Sequence, residues 1–362
     1  MTNIKDVAKA AGVSPMTVSR VFNHPELVSK KTADQVMEAA RTLDYVPNLL
    51  ARSLVMNETH SMGVFVSRPE NPLYSESLSA ITYQAATHGY NVLMACGSSP
   101  DSAMRSIQML IGRQIDGLIL LSVDFRTNGP EDSNQTSLAA LNDFYERFDR
   151  LAEQCYDRDF PVIAISQSNH NNAPHCSGFV SHDYCAGAMM AVKYLAGMGH
   201  RDLGFLAHTV TDTGVWGERY QGFFRAVEQC DCHVRPGWVR HTTDTVVGGF
   251  AAMSELLELP PDAGRPTAVY CANDEIAVGA INACHAHGVR VPQDISIIGH
   301  DGSAISRAAW PQVSTVSIHY REMGRQCVEL MLEQVAHKPF DRIGKTIRPT
   351  LVERGSVADL RG

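Results

Sequence analysis

Arg20 is the side chain in this sequence best suited to reading a base pair, because a guanidinium donates two parallel hydrogen bonds to the O6 and N7 of guanine. It lies in Ser14-Pro15-Met16-Thr17-Val18-Ser19-Arg20-Val21-Phe22-Asn23. Ser14 suits a helix cap, and Pro15 suits the first helical position, where no N–H is needed. Val18, Val21 and Phe22 fall on one face at helical spacing, which leaves Pro15, Met16, Thr17, Ser19 and Arg20 on the other. A second set with chemical potential lies far downstream. Arg219 follows the apolar run LGFLAH, and Asn273 and Asp274 follow TAVYCA. An arginine and an aspartate facing one cleft clamp adjacent hydroxyls, the cation donating and the carboxylate accepting, and Asn273 adds a donor and an acceptor. Trp216 offers an apolar face to a ring, and Asp244 and Ser166 fall near the ends of other such runs. Each has a plainer alternative: a surface ion pair for Arg219 and Asp274, a core position for Trp216.

The elements that must carry the first set begin at Asn3, which caps a helix with Asp6 three positions on. Ile4, Val7, Ala8 and Ala11 form its apolar stripe, and Gly12 ends it, since glycine tolerates a left-handed turn. Two short helices with a tight break are the pattern of a helix-turn-helix, whose second helix enters the DNA major groove. A third helix is predicted from about Ser29 to Leu43, with Val36, Ala40 and Leu43 buried. The net charge of −8 looks wrong for such a partner until it is divided: residues 1–60 carry +1 and the remainder −9. Lys5, Lys9, Arg20, Lys30 and Lys31 give a local positive face, so affinity for phosphates should fall steeply with salt. The stretch from Pro47 to Val55 then has good helix formers but only nine residues, below the ~12–15 an isolated helix needs in water. Two readings stand: a linker that docks on the body, or a hinge that folds on DNA and wedges a leucine into a minor-groove step.

The body elements come next. From Ser61 short apolar runs (MGVFVS, YNVLMAC, GLILLS, PVIAIS, LGFLAH, TAVYCA, DISIIG) alternate with helical stretches. That alternation predicts parallel sheets covered by helices, and the series is too long for one sheet, so two lobes are expected. Ligands of such folds sit outside the carboxyl ends of the strands. The length of 362 residues implies roughly two or three domains of ~100–200 residues, and 44% hydrophobic with 19% charged residues excludes a disordered chain. No apolar run approaches the ~18 residues of a membrane span, and no secretory leader pattern opens the chain. The nine scattered cysteines read as reduced thiols of a cytoplasmic protein. Cys230-Asp231-Cys232-His233 has no second ligand cluster, so core thiols are expected there and no metal or cofactor. No phosphate loop, dinucleotide fingerprint, nucleophile elbow or metal constellation appears, which argues against an enzyme. A transport-type binding protein is disfavoured by the N-terminal head.

IKDVAKAAGVSPMTVSRVFN followed by YVPNLLARSL resembles the lactose-repressor (LacI) family of bacterial transcription regulators. Gly199-His200-Arg201, Arg219-Tyr220-Gln221-Gly222-Phe223, Asn273-Asp274 and the run from Val291 to Asp301 resemble further family landmarks, so the likeness covers essentially the whole chain. The resemblance implies an all-α three-helix head over residues 1–46, a hinge helix over 47–56, and a two-lobed α/β core like periplasmic binding proteins over 57–362. It implies a homodimer on a near-palindromic operator, read by Lys5, Pro15, Met16, Thr17, Ser19, Arg20, Asn23, Asn48, Ala51 and Leu54. It also implies a small-molecule effector between the lobes, met by Leu73, Tyr74, Ser166, Trp216, Arg219, Asp244, Asn273 and Asp274. Family habit favours a carbohydrate, with a nucleobase as the alternative, and makes the protein a repressor. Tyr74 is equally suited to packing at a helix start.

Three departures from the family pattern stand out. Phe125 to Ser137 is a polar insertion, either a surface loop or a lid. Pro15 and Met16 offer apolar surface where hydrogen-bonding readers are usual, which leaves Arg20 as the main polar reader. Val55 stands where relatives carry a basic residue. The helix near Tyr320–His337 belongs to a lobe core or a dimer interface, and the chain ends without a leucine heptad run for a tetramerising coiled coil. Leu54→Ala should weaken operator binding in a gel shift while leaving ligand binding by the core unchanged; equal operator affinity would remove the wedge.

Overall fold

The computed structural model describes residues 2–45, 59–123, 125, 138–156, 159–166, 176–208, 214–337 and 339–361. The chain forms two compact units, one made mainly by residues up to His60 and one by Ser61 onward.

The first unit is a three-helix head: α1 (Ile4–Ala11), α2 (Pro15–Asn23) and α3 (Lys30–Thr42). Its helix ends follow the sequence. Asn3 and Asp6 make a reciprocal capping box, and Gly12 closes α1 at φ 67°. The Ser14 hydroxyl accepts the Thr17 N–H at 3.1 Å and the Ser29 hydroxyl accepts the Thr32 N–H at 3.3 Å. Each cap satisfies backbone donors that a helix start otherwise leaves without partners. Val7, Ala8, Val18, Val21, Val36 and Ala40 are buried together, with Phe22 and Tyr45, ring centroids 5.8 Å apart, packed over them. The sequence-based expectation of three helices on one small core is met. The stretch Pro47–Val55 lies outside the described residues, and Asn48, Ala51 and Leu54 with it.

The second unit holds two parallel sheets. Its strands are β1 (Ser61–Val66), β2 (Asn91–Cys96), β3 (Gly117–Ser122), β4 (Val162–Ser166), β5 (Gly178–His182), β6 (Leu203–His208), β7 (Val239–Thr242), β8 (Ala268–Cys271), β9 (Ser296–Asp301), β10 (Ser314–Ser317), β11 (Ile343–Ile347) and β12 (Thr350–Val352). One lobe has the order β11-β5-β4-β3-β1-β2, the other β12-β10-β9-β8-β6-β7. Every pairing is parallel except β10 with β12. The inner strands β3, β8 and β9 are buried along their whole length, because helices cover both faces of such sheets. Those helices are α4 (Pro72–Thr87), α5 (Pro100–Gly112), α6 (Leu138–Tyr156), α7 (Tyr184–Gly197), α8 (Gly214–Gln229), α9 (Val246–Leu257), α10 (Asp274–Ala286), the short α11 (Ile305–Ala308) and α12 (Tyr320–Ala336).

The chain passes between lobes three times, after β5, after β10 and after β11. Helix α12 therefore returns to the first lobe, where Met323, Cys327, Leu330 and Met331 join Val64, Ile119 and Ile163 in its core. Of the two roles open to this helix from sequence, the lobe core is the one its buried face fills. Strands β5, β7, β10, β11 and β12 were not among the expected runs. They span three to five residues and carry polar side chains such as His182, Arg240, Thr315 and Lys345, so no apolar run marks them.

In the second lobe, α9 and α10 meet at bare backbone. A Cβ on Gly249 would strike the carbonyl of Ile276, and one on Gly279 the carbonyl of Val246. Gly279→Ala should therefore lower unfolding stability by about 1–3 kcal/mol, measured by urea denaturation; an unchanged midpoint would mean that the two helices separate freely.

Candidate functional site

On the head, α2 presents Pro15, Met16 and Arg20 to solvent, Met16 at 65% exposure. Thr17, Ser19 and Asn23 are half-buried and already engaged: Thr17 with the Ser14 hydroxyl at 2.9 Å, Asn23 with the Ser19 hydroxyl at 3.2 Å. These bonds stiffen the helix and leave Arg20, which makes no side-chain bond among the described residues, as the polar group available on that face. Lys5 on α1 is also exposed. A cation and an apolar side chain on one helix face suit a guanine beside a thymine methyl.

In the core, the carboxyl ends of the strands bound a cavity of about 230 Å³ between the lobes. The first lobe supplies Arg68, Glu70, Asn71, Leu73 and Glu76 from the segment after β1. The second supplies Asp244 and Thr245 after β7, Asn273, Asp274 and Glu275 after β8, Asp301 at the end of β9, and Ser303, Ala304 and Ile305 after it. This is where ligands of open α/β sheets bind. A larger and more open groove of about 950 Å³ lies elsewhere on the second lobe, beside Trp310 and Arg354. The smaller cavity is the stronger site because buried ionisable groups converge on it.

Four of the eight sequence-based candidates line the cavity: Leu73, Asp244, Asn273 and Asp274. Arg219 stands behind the wall, buried, its guanidinium donating to the Ala272 carbonyl and, at 2.5 Å, to Oδ1 of Asp301. Its carboxylate partner is thus Asp301, and of the two residues expected from sequence to face one cleft and clamp a ligand's hydroxyls, Asp274 is in the lining and Arg219 is not. Asp274 instead accepts the Ser303 N–H at 2.6 Å, the Ser303 hydroxyl at 2.8 Å and the Thr315 hydroxyl at 2.5 Å. It ties α10 to the segment after β9 and to β10 itself. Asn273 caps α10 by accepting the Ile276 N–H at 2.7 Å and donates to the Asp244 carbonyl at 3.2 Å. Trp216 stacks on His208 with centroids 5.2 Å apart and lies 5.2 Å from the Arg219 guanidinium, outside the cavity lining. Tyr74 packs against the first-lobe core, and Ser166 ends β4. Phe125 alone represents the polar insertion among the described residues; it is buried, its ring 5.5 Å from that of Phe144.

Sequence reasoning missed Asp301, although it closes the run DISIIGHD at a strand end as Asp274 nearly closes its own. It also missed Arg68 and Glu70, which follow β1 and pair at 3.2 Å.

The electrostatics are set by burial. It works against the Arg219 charge, yet Asp301 and the surrounding tyrosine hydroxyls hold the guanidinium more firmly protonated than usual. The cation also lies 5.0 Å from the Tyr184 ring. Burial, with Arg219 nearby, pushes His182 down to about 3 and His300 well below the usual histidine range. Both rings are therefore neutral, and His300 Nδ1 stands 2.7 Å from the Tyr270 hydroxyl. Burial raises Asp301 to about 6 while Arg219 pulls it back, and burial with the Asp301 charge raises Asp274 to about 7.

A helix-turn-helix head joined to a two-lobed core of the periplasmic-binding type defines the ligand-responsive transcription regulators of bacteria. Residues 3–48 match the family described as bacterial regulatory proteins, lacI family. Residues 59–131 match periplasmic binding proteins and sugar binding domain of LacI family, and 192–357 match a periplasmic binding protein-like domain. Relatives named HTH-type transcriptional repressor PurR include those of Pasteurella multocida, 32% identical over 99% of each chain, and Pectobacterium atrosepticum, 32% identical over 99% of this chain and 98% of that one. Among solved structures, a complex of the transcriptional regulator CelR with cellobiose is 25% identical with a TM-score of 0.65 over 98% of this chain and 100% of that one. The Lac repressor dimer bound to operator and the anti-inducer ONPF shares the fold, at 24% identity and a TM-score of 0.76 over 99% of each chain. The protein belongs to the LacI family of DNA-binding transcriptional repressors.

The shifted carboxylates carry a pH signature. Asp274 has a folded value near 7 against an ordinary 3.8, so it binds its proton more tightly when folded. Its stabilising contribution is complete below about pH 4 and is lost as pH rises through 7. Asp274→Asn mimics the protonated acid and stays neutral. Its stability relative to wild type should grow between pH 4.5 and pH 8, reaching roughly 1–3 kcal/mol, in urea melts across that range; a constant difference would show that Asp274 titrates normally.

Proposed function

We propose that the protein is an operator-specific repressor, acting as a homodimer in the cytoplasm, whose DNA affinity is set by a small polar metabolite held between its lobes. The observation that carries the reading is the inter-lobe cavity at the carboxyl ends of β1, β7, β8 and β9, where Leu73, Asp244, Asn273 and Asp301 converge with Arg219 behind them. Because both lobes line it, a ligand that fits only one inter-lobe angle shifts the population toward that angle. The chain crosses between lobes at three points, and rotation about them changes what the core presents to the head, so ligand and operator affinities are reciprocal.

A carbohydrate or carbohydrate derivative is the preferred effector. The cavity is rich in carboxylate, amide and hydroxyl groups that pair with ring hydroxyls, and no aromatic ring is among its described lining residues to stack a base. The likeness to the CelR–cellobiose complex points the same way. A nucleobase is the second reading, favoured by the repressors named PurR among the relatives. On DNA, Arg20 reads a base edge, Met16 and Pro15 contact apolar groove features, Thr17, Ser19 and Asn23 complete that helix face, and Lys5 contacts phosphate.

The test is selection of bound duplexes from a random pool by full-length protein and by Arg20→Ala. Wild type should enrich a near-palindromic site, and Arg20→Ala should lose about 1–3 kcal/mol of preference for it while keeping salt-dependent binding to random duplex. No enrichment by wild type, with or without candidate metabolites, would refute operator-specific repression.

A further inference from the structure

The outward face of α2 divides into a part that can hydrogen-bond to a base and a part that cannot. Arg20 is exposed and makes no side-chain bond among the described residues. The hydroxyls of Ser14 and Thr17 hold each other at 2.9 Å, and the Ser19 hydroxyl accepts the Asn23 amide at 3.2 Å. Pro15 has no N–H, and the Met16 side chain ends in a thioether, a weak acceptor that donates nothing. The two residues that open the helix are thus apolar and exposed, at the end where a recognition helix meets base edges.

The head does not need Met16 for its own packing. The side chain is 65% exposed and takes no part in the core built by Val7, Ala8, Val18, Val21, Val36 and Ala40. A flexible apolar chain gains nothing from water and gains from contact with another apolar group. On the base edges of the major groove the one such group is the C5-methyl of a pyrimidine. Thymine and 5-methylcytosine carry it; uracil and cytosine do not. A thioether that donates no hydrogen bond separates thymine O4 from the cytosine amino group poorly, so the methyl is the feature it reads. Met16 and Arg20 are four residues apart and therefore neighbours on one helix face. They differ by about 6 Å along the helix axis at about 1.5 Å per residue, less than two base-pair steps of about 3.4 Å. A guanine bound by Arg20 therefore fixes where the methyl must lie.

We propose that Met16 makes this protein a reader of pyrimidine C5-methyl groups: each half-site holds a methylated pyrimidine within about two base pairs of the guanine bound by Arg20, and 5-methylcytosine serves there in place of thymine. The assignment rests on the reading of α2 as the helix that contacts the operator and narrows it to one chemical group on the DNA. It gives the protein a property that hydrogen-bonding readers lack. Methylation of a cytosine at that position strengthens binding, and loss of the thymine methyl weakens it with every hydrogen-bonding group of the base pair left in place.

Full-length protein first selects its site from a random duplex pool, and the enriched site is resynthesised for titration by fluorescence anisotropy. Replacing each guanine in turn by 7-deazaguanine, which lacks the N7 acceptor, finds the base that Arg20 reads, because that effect vanishes in Arg20→Ala. Each thymine within about two base pairs is then replaced by deoxyuridine, and separately by cytosine and by 5-methylcytosine paired with guanine. At one position deoxyuridine should weaken binding about fourfold per half-site, the worth of one methyl group taken out of water. There 5-methylcytosine should bind about fourfold tighter than cytosine on the same ground. Both ratios should fall to unity in Met16→Ala, whose helix content is checked by circular dichroism; should that variant fail to fold, the wild-type ratios decide. Deoxyuridine that is neutral at every such position, a penalty that persists undiminished in Met16→Ala, or a site without an Arg20-dependent guanine beside a thymine overturns the methyl assignment and leaves operator reading standing. If no site is enriched, operator reading itself is overturned and the assignment falls with it.

Discussion

The ion pair between Arg219 and Asp301 is the interaction on which the rest of the core depends. A guanidinium this deep is tolerable because a carboxylate and a backbone carbonyl accept from its two terminal nitrogens, and removing the carboxylate would strand a charge in low dielectric. Arg219 belongs to α8 and Asp301 closes β9, so the bond ties a helix on one face of the second-lobe sheet to the strand ends facing the first lobe. Around it burial keeps two histidines neutral and raises two aspartates. The same low dielectric that makes the pair strong makes the neighbouring carboxylates sensitive to whatever enters the cavity.

The head solves a different problem with different means. A core of six buried residues is small, so its helices lean on caps: the box at Asn3 and Asp6, the hydroxyls of Ser14 and Ser29, and the left-handed Gly12. These local bonds fix where α2 starts, and that start decides which side chains face outward. Readout and folding are thereby settled by the same few residues, and the positive charge collects there while the body stays acidic.

The head was legible in the sequence almost residue by residue, because caps, glycine turn and helical period are all local signals. The inner strands were equally plain, since double coverage forces apolar runs. The short strands at edges and lobe crossings were not, because strands such as Ser314–Ser317 owe their conformation to neighbours far away in the chain. The cavity shows the same division. Strand-end logic placed Asp244, Asn273 and Asp274 on its wall, and the family likeness placed Leu73 there. The partner of Arg219 was not legible, because pairing with Asp301 across 82 positions depends on sheet order, which sequence spacing does not contain. Asn273 and Asp274 also illustrate why a polar residue at a strand end is ambiguous. One is occupied as a helix cap and the other as a brace for Ser303 and Thr315, and both still reach the cavity.

The return of α12 to the first lobe has a consequence for synthesis. The hydrophobic interior that begins with residues near Met62 is closed only by Met323, Cys327, Leu330 and Met331, and the sheet edge only by Ile343–Ile347. As the polypeptide leaves the ribosome, that lobe must wait with an unfilled seam until nearly the last segment emerges. The second lobe, threaded through the middle of the chain, has most of its own interior in hand before then.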